Sequence, residues 1–184
     1  MIASPVGLLF LAGSDRGVCH LEFMDRKSLK RVIAGHSPLH PGATWTPSLL
    51  ELKPVVDQVE AYFNGGLVDF DVKLAPIGTD AQLKVWKALR AIPYGETVTY
   101  GDLAKRLKQP RAARAITLVA QQNPIALIVP CHRAVGAAGS LAGYPGGVTR
   151  RRWLLEHESA HRKRLESVGE EFVAAAGATR RTRR

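Results

Sequence analysis

Cys131 and His132 stand side by side at the end of an apolar run, Ile125-Ala-Leu-Ile-Val129, within the string Pro130-Cys-His-Arg133. A thiol beside an imidazole invites nucleophilic chemistry. The thiolate is the nucleophile, and free cysteine, with a pKa of about 8.5, is only a few per cent ionised at neutral pH unless a base or cation favours the anion. Adjacent residues do not usually face each other, so His132 is expected to act on Cys131 through a bridging water, with the apolar run carrying the pair to a rim. Glu158 falls four residues after Leu154 and three after Leu155, on the apolar face of a predicted helix. An unpaired buried charge is very unfavourable, so this carboxylate needs a partner. His132 is the natural one, giving a Glu-His-water-Cys relay in which the carboxylate fixes the imidazole tautomer and the imidazole withdraws the thiol proton. The alternatives are a structural Cys-His neighbourhood and a surface pairing of Glu158 with Arg151, Arg152 or another cation.

The elements that must position these groups are legible as patterns. Residues 7–12 and 18–23 read as strands around the turn Gly13-Ser-Asp-Arg-Gly17. A helix is predicted over 49–63, closed by Asn64-Gly65-Gly66, with Pro54 in its first turn or kinking it. Residues 69–74 alternate polar with apolar and read as a third strand. After a linker over 76–80, Thr79 and Gln82 form a capping box opening a helix through Val85, Trp86, Leu89 and Ile92, stopped at Pro93-Tyr-Gly95. Thr99 with Asp102 marks a short helix, and Pro110 separates it from another beginning near Arg111. In that helix Ala112, Ile116 and Val119 share one face and Arg111, Arg114 and Leu118 the other. The pair is either a helix-turn-helix or an ordinary helical hairpin with solvated arginines. A last helix runs from Thr149 through Trp153, Leu154 and Leu155, and residues 161–184 form a polar, basic, flexible tail.

Composition limits the function classes. The 184 residues are 46% apolar and 23% charged, the balance of a folded chain of one domain or two small ones. No apolar run approaches the roughly 18 residues of a membrane span, and the first twenty residues carry Asp15 but no basic signal-peptide region, so a cytoplasmic protein without membrane association is expected. Two cysteines do not make a disulfide framework. The net charge of +10 points to a polyanionic partner, nucleic acid first. Residues 159–184, with seven Lys or Arg against three Glu, hold less than half of that excess.

Pro130-Cys-His-Arg133, preceded by Asn123-Pro124 and followed by Gly143-Tyr-Pro-Gly-Gly147 and Trp153-Leu-Leu-Glu-His-Glu158, closely resembles the methylated-DNA–protein-cysteine methyltransferases. The likeness is dense over 78–158 and includes Ile92-Pro-Tyr-Gly-Glu96, Tyr100 and Ala112-Ala-Arg-Ala115; the first 75 residues match in pattern only. It implies an α+β fold, with a small N-terminal mixed α/β domain (1–76) and a helical C-terminal domain (77–160) whose helix-turn-helix enters the minor groove of double-stranded DNA. It also implies DNA repair by transfer of an alkyl group from O6-alkylguanine to Cys131, once per molecule, by a monomer without cofactor or metal, cooperativity on DNA being left open. Arg114 would fill the gap left by the flipped nucleotide, and Tyr100 would push at its phosphate and hydrogen-bond the base. Arg111, Thr99, Ala113 and Ala115 would join the DNA contact. Asn123 would brace the turn before the cysteine strand. Tyr144, Pro145 and Gly146 would line the base pocket with Tyr100, and the carbonyls of Cys131 and Ala134 would read the guanine amine.

This chain departs from the family pattern in places. Thr117 and Leu118 stand where the family is generally small, Ala81 replaces a usual aromatic, and Pro145 removes a main-chain N–H that the family commonly offers to O6. Cys19 has no matching partner set for zinc with His20, His36 and His40 and reads as a buried strand residue. Two other classes compete: a cysteine hydrolase using the same relay with many turnovers, and a binding-only protein that recognises alkylguanine.

Overall fold

The computed structural model describes residues 1–25 and 27–181, with side chains through Val168. β1 (Leu9–Ser14) and β2 (Gly17–Phe23) pair antiparallel, Leu11 opposite Leu21, so β1 lies slightly further along the chain than the expected 7–12. Gly17 sits at φ +130°, and a Cβ there would run into the Lys73 carbonyl, so the turn into β2 requires glycine. α1 (Leu29–His36) is a helix that the sequence pattern did not predict; its signal is Ser28, whose Oγ accepts the Arg31 N–H at 3.3 Å as an N-cap. α2 (Leu49–Phe63) matches the expected span, but Pro54 falls inside it, beyond the first turn. The carbonyl that its missing N–H releases belongs to Leu50, which is exposed and open to water.

The strand expected over 69–74 does not form. Its sides do alternate in burial, but only Leu74 bridges to Val18 of β2. The side chain of Gln58 takes the place of a neighbouring strand: its Oε1 accepts the Asp71 N–H at 2.8 Å and its Nε2 donates to the Asp71 carbonyl at 2.9 Å. Alternation thus marks a half-buried extended segment, which meets the edge of β2 at Leu74 alone.

α3 (Asp80–Arg90) opens on the expected capping box of Thr79 and Gln82, and Trp86 Nε1 donates to the Val119 carbonyl at 3.0 Å. β3 (Val98–Thr99) runs directly into α4 (Tyr100–Arg106), whose N-cap is Thr99, its Oγ1 accepting the Asp102 N–H at 3.0 Å. α4 ends in a Schellman motif, with Gln109 N–H donating to Ala104 and Lys108 N–H to Lys105, and Lys108 at φ +58°. One 3-10 turn, Pro110–Ala112, leads into α5 (Ala113–Gln121), which buries Ile116 and Ala120 and exposes Arg114, Ala115 and Leu118.

The apolar run after α5 is a buried sequence of turns and not a strand. Leu21 of β2 donates to the Pro124 carbonyl at 2.9 Å and accepts from the Ala126 N–H at 2.7 Å, so the N-terminal hairpin grips this run. A 3-10 turn, Cys131–Arg133, then enters β4 (Ala134–Val135), which pairs parallel with β3. α6 (Val148–Arg181) continues as helix where a flexible tail is expected from 161; its sequence there is rich in helix formers, and Arg162 and Glu166 pair one turn apart at 2.8 Å. Residues 182–184 of that expected tail lie outside the described residues.

One core cluster joins β1, β2 and α2 to α3–α6, leaving the N-terminal and C-terminal halves packed on each other. Cys19 is buried in β2 as expected. On the outer side of the hairpin His20 and His40 lie Nε2 to Nε2 at 2.8 Å and His36 stacks on His20, an environment whose burial and neighbouring imidazoles push His20 down to about 3. Among the described residues no helix is long and apolar enough to cross a membrane.

Lys108 holds a left-handed conformation that glycine adopts freely, at an exposed C′ position. Lys108→Gly should therefore raise stability by about 1 kcal/mol in denaturant unfolding. A loss of stability instead would mean that the lysine side chain makes a contact worth more than the strain.

Candidate active site

Glu158 projects inward from α6 and has no exposed surface. Five donors meet its two oxygens. Oε1 accepts from His132 Nε2 at 2.8 Å, Tyr62 Oη at 2.8 Å and Arg133 Nη2 at 3.0 Å; Oε2 accepts from Arg133 Nε at 2.9 Å and the Gly95 N–H at 3.0 Å. Burial alone would push this carboxyl up, but the hydrogen bonds and charges of His132 and Arg133 reverse that and hold it well below the usual carboxylate range. An ionised carboxylate only accepts, so the proton of a neutral His132 sits on Nε2 and Nδ1 carries the basic lone pair. His132 Nδ1 is buried and finds no partner among the described residues. Burial lowers the His132 pKa, with Glu158 opposing and the Arg133 and Arg151 cations adding to the decrease.

Cys131 is 4% exposed, which corrects its expected place at a rim. The physical reason is the grip on the preceding turns, which keeps the run and the following 3-10 turn inside the core. Asn123 spans that run: its Nδ2 donates to the Val129 carbonyl at 2.8 Å and towards Cys131 Sγ at 3.2 Å, while its Oδ1 accepts the Ile125 N–H at 3.0 Å. Burial pushes the thiol up; the Asn123 bond and the Arg151 charge act the other way.

The β3–β4 pairing sets Tyr100, first residue of α4, beside the cysteine turn, and Cys131, when ionised, would bear on the hydroxyls of both Tyr100 and Tyr144. Burial raises both phenols, so both remain protonated donors at neutral pH. Arg151, a possible surface partner of Glu158 in the sequence, is instead wholly buried. It donates from Nε to the His132 carbonyl at 3.1 Å and from Nη1 to Leu141 at 3.0 Å and Ala142 at 3.1 Å. The Cys131 carbonyl already accepts the Ala134 N–H.

Of the expected DNA-contact residues, Tyr100 belongs to this cluster, while Thr99 lies in β3, Arg111 in the 3-10 turn before α5, and Ala113, Arg114 and Ala115 on α5. Arg111, Arg114 and Ala115 are exposed, and Thr99 and Ala113 are half-buried. Thr117 turns its hydroxyl back to the Ala113 carbonyl at 2.9 Å, whereas Leu118 stands 55% exposed. Pro145 is exposed and Gly146 half-buried. Arg150 clamps their loop to the N-terminal half, donating to the carbonyls of Gly146 and Val6 and to Asp25 Oδ1, each at 2.7 Å, with its guanidinium over Phe23. A cavity of about 650 Å3 lined by Ser14, Cys19, His40 and Ile77 holds no group of the relay. Among the described residues no group of three or more His, Cys, Asp or Glu is placed to hold a metal ion. Tyr62, Gly95, Arg133 and Arg151 are the site residues that the sequence did not point to; Arg133 stands inside Pro130-Cys-His-Arg133 and Gly95 inside Ile92-Pro-Tyr-Gly-Glu96, while nothing near Tyr62 signals its partner.

Glu158→Gln should lower stability by about 3 kcal/mol or more at neutral pH, because Arg133 then stays buried without its counter-charge. The carboxylate's contribution is present above the ordinary glutamate pKa and lost as pH falls below it, so the variant should also lose part of the acid sensitivity of denaturant unfolding. Equal stabilities across pH 4 to 7, a range of about three units spanning ordinary carboxylate titration, would refute the pairing as a stabilising one.

Two family models match the chain: the 6-O-methylguanine DNA methyltransferase ribonuclease-like domain over residues 1–76 and the DNA binding domain of the same family over 80–160. A methylated-DNA–protein-cysteine methyltransferase of Methanosarcina barkeri is 45% identical over 158 residues, covering 86% of this chain and 94% of that protein. A structure of the O6-methylguanine methyltransferase of Mycobacterium tuberculosis superposes with a TM-score of 0.75 at 46% identity, covering 87% of this chain and 91% of that one. A structure of the same organism's OGT in complex with DNA gives 0.74 at 45% identity, with the same coverage of both chains. With both halves matched and the buried Cys131-His132-Glu158 cluster in the half that carries the DNA binding model, the chain belongs to the methylated-DNA–protein-cysteine methyltransferase family.

Proposed function

We propose that the chain repairs alkylated DNA directly, moving an alkyl group from O6 of guanine in double-stranded DNA to Sγ of Cys131, once per molecule. The observation that carries this reading is the cysteine held by Asn123 beside a buried imidazole whose tautomer Glu158 sets. The Cys131 proton passes through a water to His132 Nδ1, the sulfur attacks the alkyl carbon, and the carbon–O6 bond breaks with its electron pair leaving on the base. Tyr100, kept protonated by burial, supplies the proton that the departing guanine takes up. The product is a thioether, which no group of the relay hydrolyses, so turnover stops after one event.

A thiol this deep meets only a base that has left the stack. In this reading α4 and α5 are a helix-turn-helix lying in the minor groove, with Arg114 filling the vacated space, Arg111 on the phosphates, and Thr99, Ala113 and Ala115 against the backbone. Tyr144, Pro145 and Gly146 close the base pocket, and Asn123 holds the cysteine turn. The Ala134 carbonyl, with the remaining lone pair of the Cys131 carbonyl, reads the guanine amine. The division into domains at residues 76 and 77, action as a monomer and a cytoplasmic location belong to the same proposal.

Incubation with methylated duplex should raise the intact mass by one methyl group, once, and Cys131→Ser should show no increase while keeping DNA affinity. Repeated turnover would support a hydrolase, and binding without any mass change a recognition protein. Arg114→Ala should slow transfer from duplex far more than reaction with free alkylguanine base, since flipping is needed only in the duplex. Equal slowing on the two substrates would remove Arg114 from the flipping step.

A further inference from the structure

Glu158 has about four acceptor positions and receives five hydrogen bonds, one of them from the opposite half of the chain. Tyr62, on α2, is wholly buried and lies 96 residues from Glu158 in sequence. It is held rigidly. Its carbonyl accepts from His157 Nε2 at 2.9 Å, and its ring packs on Phe63, Phe70 and Tyr94. A hydroxyl partner is not automatic in this region, since the neighbouring Tyr94 hydroxyl is buried without one among the described residues.

A carboxylate bound only to His132 would draw the imidazole towards a permanent imidazolium, which cannot accept another proton. Every further donor on Glu158 weakens that draw. Among the described residues, the charged or titratable groups around the pair are Cys131 and Arg133 on the cysteine turn, Arg151, His157 and His161 on α6, Tyr94 after α3, and Tyr62 on α2. Of these only Tyr62 and Arg133 share Oε1 with His132.

We infer that Tyr62 is a positioning residue of the transfer reaction: its hydroxyl, donated to Glu158 Oε1, restrains the carboxylate so that His132 stays uncharged and able to take the Cys131 proton. The inference rests on the alkyl-transfer reading for its consequence, and makes the N-terminal half part of the reaction centre.

The test is a pH titration of the His132 ring nitrogens by 15N NMR in the full chain, beside the pH profile of single-turnover transfer from methylated duplex. Tyr62→Phe should raise the His132 midpoint by about half a unit and move the acid limb of the rate profile up by the same amount. Above that limb the rate should change less than about twofold, since Arg133 and Gly95 still orient the carboxylate. Tyr94→Phe, which removes an unpartnered hydroxyl, should move neither. Replacement of Tyr62 by 3-fluorotyrosine, a more acidic donor of nearly the same shape, should shift the midpoint down, and supplies the answer if the phenylalanine variant does not fold. A His132 midpoint that stays put in the folded variants overturns the inference, even if stability falls. The titration is read without DNA, so a shifted midpoint in a protein that never gains a methyl group would reject the transferase reading and not the hydrogen-bond effect.

Discussion

The charge of Glu158 is the constraint around which the molecule is arranged. A carboxylate with no exposed surface persists as an anion only where several donors replace its water. Here they come from the cysteine turn, from α2 and from the turn after α3, so these segments must converge on one side of α6. The requirement reaches down to single residues. Gly95 reaches the carboxylate through its own N–H at φ +70°, and a Cβ there would press on the Glu158 carbonyl and on Arg162.

From this anchor the chemistry of the cysteine follows. Glu158 fixes the tautomer of His132, and Asn123 and Arg151 supply the sulfur with a hydrogen bond and a cation while burial opposes ionisation. The balance leaves a thiol that is protected from solvent and from indiscriminate alkylation or oxidation, since susceptibility follows thiolate character and exposure. In the proposed reading, activation depends on a substrate that fits beside Tyr100 and Tyr144.

The N-terminal half is more than a cover for the helices. β2 exchanges two backbone hydrogen bonds with the turns that lead to Cys131, and Arg150 ties the Gly146 loop to Val6 and Asp25. With Tyr62 at the carboxylate, three separate parts of the first 76 residues touch the segments that form the site. A thiol buried to this degree needs such support, because the turns before it lack the ladder of a strand.

Local physics made a large part of this legible in the sequence. The β1–β2 hairpin, α2, the Thr79 capping box and the Thr99 cap each rest on residues a few positions apart, and Glu158 declared itself through the apolar stripe of its own helix. The motif around Cys131 carried the chemistry for the same reason: its members are near neighbours. Where the outcome turned on partners distant in the chain, pattern was not enough. Residues 69–74 alternate like a strand yet meet the side chain of Gln58 and touch β2 only at Leu74, and the depth of Cys131 depends on the grip of Leu21. Arg151 looks like a surface cation on its helix and lies inside because three carbonyls from other segments surround it. Tyr62 and Glu158 are the limiting case, joined at 2.8 Å across 96 residues by tertiary packing alone, since no periodicity or cap relates positions so far apart.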